Sequence, residues 1–239
     1  MTVKSERIPP EQHHDHRDVT GGWLRPGVFG MMDGLVSNTA LITGVAGGGV
    51  SGHALILTGL AGLAAGAFSM ATGEYTSVAS QTELTRAEIE VEKAELARVP
   101  EAEEAELAGL YRSRGVDEQT ARDVARQLSR DPEQAWRIHA REELGVDPDD
   151  LPSPWVAAGS SFVAFCVGAG GPLLPYLLGA HSLVLAVVLA GITLFIGGAV
   201  VSRFTNRSAL YSGTRQLVLG ALAAGITHLV GQAVGAGVS

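Results

Sequence analysis

Five long apolar runs, two before and three after a single charged block, constrain this chain more than any other feature. They cover roughly residues 26–50, 54–72, 155–178, 182–201 and 210–238. Each has about 19 or more residues, enough to cross a hydrocarbon core of about 30 Å as a helix. Inside lipid a helix satisfies its own backbone hydrogen bonds, so helices are the expected form. The expected fold class is therefore all-α: a five-span transmembrane helix bundle with a helical cytosolic insert between spans 2 and 3.

Charge is segregated accordingly. Of 25 acidic residues, 19 fall between Glu83 and Asp150, with ten of the 17 basic residues. The stretches near residues 50 and 180 and the C-terminal tail contain no Lys or Arg. Basic residues collect on the cytoplasmic side of a membrane, so the N-terminus is expected inside and the C-terminus outside. The expected organisation is a disordered cytosolic arm at 1–22, spans 1 and 2 in 23–81, the insert at 82–152, and spans 3 to 5 in 153–239. No cleavable signal peptide is visible. Cys166 is read as a small buried residue, and a single cysteine makes no internal disulfide.

Glycines at small-xxx-small spacing recur: Gly30 and Gly34, Gly44 and Gly48, Gly62 and Gly66, Gly231 and Gly235. Such pairs let membrane helices approach closely, within a bundle or across a dimer interface.

The insert reads as four helical stretches. TELTRAEIEVEKAELARV is rich in strong helix formers, and Pro100 interrupts it. A second helix starts at Pro100 and ends at Gly115. Asp117 is expected to cap a third, and a fourth runs from Asp131 to Gly145.

Spacing selects the candidate chemistry. Glu92 and Glu95 are three apart, as are Glu103 and Glu106, which puts each pair on one helix face. His139 and Glu143 are four apart on the fourth helix. Carboxylates and a histidine from several helices suit Fe²⁺, Mn²⁺ and similar divalent ions. Glu-rich helices with basic partners are also commonly solvated faces, and spacing alone does not separate the two readings. In the first span Asp33 would cost about 2.5–3.5 kcal/mol at a helix centre, unless it lies near the inner interface. In the second, Met70 and Glu74 are four apart, and Glu74 could lie in the cytosolic continuation. His228 reads as a hydrogen-bonded packing residue. His13, His14 and His16 read as part of a disordered tail.

The words WLRPGVFGMMDGLVSNTALITGVAGG and AGAFSMATGEYTSVASQTE, with AWRIHAREELGV and the Glu-rich insert, resemble the vacuolar iron transporter family, including its bacterial members. The resemblance runs from Trp23 onward. It implies a five-span dimer that moves divalent iron, and often manganese, by proton antiport. The ion path would lie at the dimer interface, with the insert binding metal and presenting it to the pore. The family's pore aspartate falls on Asp33 and its pore methionine on Met70. Its insert carboxylates fall on Glu92, Glu95, Glu103, Glu106 and Glu143. Two departures stand out. His139 and Ala140 occupy positions where eukaryotic members carry two methionines. Gly62 occupies the position of a membrane glutamate, for which Glu74 is the nearest substitute.

The expected function is a divalent transition-metal transporter carrying Fe²⁺ and/or Mn²⁺ out of the cytosol for detoxification and homeostasis. The alternative is a membrane-anchored metal buffer or sensor. No enzyme activity is expected, because the insert helices lack the Glu-x-x-His pattern of di-iron centres. No prosthetic group is expected: the metal is cargo. Expected partners are divalent ions, protons, lipid and a second copy of the chain, with no nucleic acid. The expected location is the plasma membrane, or the vacuolar membrane in a vacuolate cell.

Overall fold

The computed structural model describes residues 22–50, 52–180, 182–203 and 207–238. The expected N-terminal arm, with its three histidines, lies outside the described residues apart from Gly22. The described residues form eight helices and no strand. These are α1 (Leu24–Gly47), α2 (His53–Arg98), α3 (Pro100–Ser113), α4 (Glu118–Leu128), α5 (Pro132–Glu142), α6 (Pro154–Leu177), α7 (Leu183–Val201) and α8 (Ala209–Val238). Five of them, α1, α2, α6, α7 and α8, are long and apolar enough to cross a membrane.

Glycine placement explains how the spans pack. α1 touches α2, α6, α7 and α8. A Cβ on Gly30 would stand 2.6 Å from Ser161 O, and one on Gly34 would stand 2.9 Å from Ala169 N. On the facing helix, a Cβ on Gly168 would collide with Met31 O. At the other end of α1, a Cβ on Gly231 would meet Gly44 O, and one on Gly235 would lie 2.9 Å from Gly48 Cα. These glycines thus seat α6 and α8 against α1 backbone to backbone. Around them, Ile42, Leu55, Leu173, Tyr176 and Ala186 form one buried cluster, and Ala67, Phe165 and Ala169 another. Cys166 is half-buried beside the second cluster rather than fully buried, because its α6 position sits at the edge of that contact.

Large apolar side chains elsewhere point outward, including Leu57, Phe68, Val163, Val184, Ile196 and Leu222. In water that surface would be a liability; against lipid it is the expected exterior. Pro172 and Pro175 sit inside α6, where neighbouring membrane helices tolerate them.

α2 is continuous for 46 residues, about 69 Å at helical rise. It passes residue 82 without a break and carries the cluster of short helices at its far end. Among the described residues, α3 and α5 pack on α2 and on each other, α4 packs on α3 and α5, and none of the three touches α1, α6, α7 or α8. Their core is small: Leu107, Ala108 and Ala125, with Tyr111, Leu128 and Ile138 against it. The caps match the sequence. Asp117 accepts from Thr120 N at 3.0 Å, and Asp131 accepts from Glu133 N at 3.0 Å. Gly115 (φ +97°) and Gly145 (φ +68°) hold the left-handed turns after α3 and α5. Where the chain re-enters the bundle, Tyr75 and Trp155 pack edge to face at 4.8 Å. Aromatic residues are enriched at such boundaries.

Candidate functional site

Two constellations bring the candidate residues together. The first lies where α2, α3 and α5 meet. Glu92 comes from the outer part of α2, Glu103 from the first turn of α3, and His139 and Glu143 from α5 and its C-cap. His139 is 0% exposed, Glu103 6% and Glu92 7%. His139 Nδ1 lies 2.9 Å from Glu92 Oε1 and 2.8 Å from Glu143 Oε1. Glu103 Oε2 is 4.0 Å from the same nitrogen.

Proximity here is not hydrogen bonding. Both ring nitrogens of His139, Glu92 Oε1 and Glu143 Oε1 are buried without an aligned N–H···O partner among the described residues. Buried polar atoms are normally satisfied. Atoms that converge in this way could hold a common cation. Glu92, Glu103 and His139 each offer one ligand atom, all within 4.8 Å of one another. Bonds of about 2.0–2.2 Å to one ion would set ligand atoms up to about 4.4 Å apart, so only a slight contraction separates this cluster from coordination.

Electrostatics point the same way. Burial, and next the Glu143 carboxylate, push Glu92 up to about 7, against the opposing pull of His139. Burial and then Glu106 push Glu103 up. Burial pushes Glu143 up too, opposed by His139 and reinforced by Glu106 and Glu95. Carboxylates crowded and desolvated in this way are poorly matched to one another and well matched to a divalent cation. Glu95 and Glu106 form the rim rather than the centre: Glu95 is half-exposed, 3.7 Å from Arg98 Nη2, and Glu106 is exposed.

The second constellation is in the bundle. Asp33, Ser37, Asn38 and Leu41 of α1 and Gly62, Gly66, Ser69 and Met70 of α2 line a cleft of about 210 Å³, together with Phe165 of α6. Asp33 and Met70, on different helices, therefore share one space. Ser37 Oγ donates to Asp33 O at 2.6 Å, which spends its hydroxyl on the helix backbone. Gly62 lines this cleft, whereas Glu74 lies one turn past Met70, half-buried and outside the lining. Asn38 is a cleft residue that the sequence reading did not single out. Its only signal was an amide inside an apolar run, five residues past Asp33.

His228 is a packing residue held by hydrogen bonds. Its Nδ1 donates to Thr43 O at 3.0 Å, so Nε2 is left to accept from Gln232 Nε2 at 3.2 Å.

Comparison with known proteins agrees with this architecture. The family model described as the VIT family matches residues 24–232. The chain is 43% identical over 191 residues to a vacuolar iron transporter of Acanthamoeba castellanii, covering 75% of this chain and 69% of that protein. It is 32% identical over 217 residues to vacuolar iron transporter 1 of Arabidopsis thaliana, covering 89% and 86%. It is 30% identical over 222 residues to vacuolar iron transporter 1 of Oryza sativa subsp. japonica, covering 90% and 88%.

Proposed function

The chain belongs to the VIT family, and from that premise we propose that it is a transporter of divalent transition-metal ions, Fe²⁺ and/or Mn²⁺, that moves them out of the cytosol in exchange for protons. The observation that carries the reading is the shared cleft of Asp33 and Met70 inside a bundle of apolar helices. A membrane anchor for a metal buffer has no use for a carboxylate and a thioether facing one space between two spans. Intramembrane carboxylates are costly and mark ion or proton paths.

In this reading Glu92, Glu103, His139 and Glu143 capture the ion on the cytosolic side, with Glu95 and Glu106 drawing it in. α2 connects that cluster to the cleft. Met70 and Glu92 lie 22 residues apart on this one helix, about 33 Å at helical rise. The ion then meets Asp33 and Met70, and Glu74 stands on α2 between the two sites. A proton arriving from the outer side competes for a carboxylate and releases the ion. The pattern of Lys and Arg supports a cytoplasmic N-terminus. The outward apolar face of α2 suits a homodimer with the path between copies, in the plasma membrane or the membrane of a vacuole.

Reconstitution into proteoliposomes with a pH gradient set in each direction tests the proposal. Fe²⁺ and Mn²⁺ uptake is expected to follow the gradient and to be lost in Asp33→Ala. Equal flux in Asp33→Ala and the parent, or flux indifferent to the gradient's sign, would remove the pore assignment or the proton coupling respectively.

A further inference from the structure

Asn38 lines the cleft while being only 2% exposed. Its amide has a defined orientation. Nδ2 donates to Ala169 O of α6 at 2.7 Å. Turning the amide over would press Oδ1 against that carbonyl, two acceptors in contact, so Oδ1 faces away from α6. There it has no hydrogen-bond partner among the described residues. What it faces is Gly62 of α2: a Cβ at that position would stand 3.1 Å from Asn38 Oδ1 and would also collide with Leu41 Cδ2. A buried acceptor without a partner is costly to keep. Here it is held by a non-local hydrogen bond and aimed across the same space as Asp33 and Met70, where the facing residue has no side chain.

We propose that Asn38 Oδ1 is a ligand of the divalent cation in the cleft, contributing a neutral oxygen beside the Asp33 carboxylate and the Met70 thioether. The inference rests on the transport reading above and adds a specificity-determining residue to it. An amide oxygen is a hard donor and a thioether a soft one, so the pair favours borderline ions over ions at either extreme. An uncharged ligand also adds affinity without a second negative charge. A passing ion must be held weakly enough to leave. Gly62 leaves no side chain over Oδ1.

The test is uptake of Mn²⁺ and Cd²⁺ by the full-length protein in proteoliposomes, comparing the parent with Asn38→Leu, Gly62→Ala and Asp33→Ala. Mn²⁺ depends on the hard oxygen, whereas Cd²⁺ draws on the sulfur. In Asn38→Leu the ratio of Mn²⁺ to Cd²⁺ uptake is expected to fall by about tenfold, the scale of loss for a group supporting a metal site. Gly62→Ala shields Oδ1 while leaving the Asn38–Ala169 bond intact, so it should shift the ratio the same way even if Asn38→Leu folds poorly. A purely structural role for Asn38 would lower both ions by one factor. That result, or no change in either variant, overturns the inference while loss of flux in Asp33→Ala leaves the transport reading standing. A parent protein that carries neither ion, nor Fe²⁺, overturns both.

Discussion

Glu92 Oε1 of α2 and His139 Nδ1 of α5 lie 2.9 Å apart, buried, with no aligned hydrogen bond between them. Left to themselves, a buried carboxylate and imidazole at this distance would rotate into an N–H···O bond. Their arrangement is instead set by the helices that carry them and completed by Glu103 and Glu143. Replacing Glu92 by Gln or His139 by Ala should therefore weaken Mn²⁺ binding to the full-length protein by about 10- to 100-fold. Titration calorimetry in detergent measures this. Asp33→Ala should leave binding at this cluster within about twofold of the parent, because additivity holds for distant sites.

The same cluster sets a pH dependence. Glu92 is raised from its ordinary 4.5 to about 7, and Glu103 and Glu143 are raised too. Between these values the folded protein holds more protons than the unfolded chain, so stability falls as pH rises through that window. The metal-free α3–α5 unit should thus be more protected from amide exchange near about pH 6 than near about pH 8. Mn²⁺ should reverse the order, since it binds the ionised carboxylates that the higher pH supplies and stabilises by mass action. The Asp117 cap titrates the opposite way, because its hydrogen bond to Thr120 lowers it below its ordinary 3.8. Its loss belongs to more acid conditions, outside this window. Metal-free protection that rises with pH would contradict the geometry of the cluster.

Packing of the spans makes a contrast between two glycines. A Cβ on Gly34 meets Phe165 O and Ala169 N of α6, whereas one on Gly73 of α2 meets nothing within 4 Å. Gly34→Ala should destabilise the bundle by about 1–3 kcal/mol, the usual scale of overpacking. Gly73→Ala should be neutral or stabilise by up to about 1 kcal/mol, by restricting the unfolded chain. Thermal unfolding in detergent compares the two. Equal effects would mean that α1 and α6 can separate without cost.

What could be read from residue order alone follows a physical division. The five spans were legible because hydrocarbon thickness fixes their length and their apolar runs carry only two charges, Asp33 and Arg215. The insert helices were legible because Pro100, Asp117, Asp131, Gly115 and Gly145 act on their own backbone neighbourhood. The i,i+3 pairs showed that Glu92 and Glu95 share a face, but not that Glu92 is buried while Glu95 pairs near Arg98. That depth depends on how α3 and α5 close over α2. The continuity of α2 through residue 82 was likewise muted, because a change from apolar to polar composition does not break a helix without a proline. Asn38 was missed because its partner, Ala169 O, is on another helix, and an amide in an apolar run draws less notice than a charge.

Met70 supplies the last contrast. Leucine matches methionine in volume, so Met70→Leu should cost less than about 1.5 kcal/mol in stability and leave the packing against Ala67 and Phe165 intact. It removes the Met70 sulfur from the cleft that Met70 lines with Asp33. A thioether serves soft and borderline ions, so Cd²⁺ uptake should fall further than Mn²⁺ uptake. The shift is opposite in sign to that expected for Asn38→Leu. In the double variant the ratio should return toward the parent value while total flux drops below either single change. Measuring both ions in one proteoliposome preparation makes the comparison independent of protein yield. If Met70→Leu lowers Mn²⁺ and Cd²⁺ alike, the sulfur is packing rather than a ligand, and Asp33 alone would mark the path.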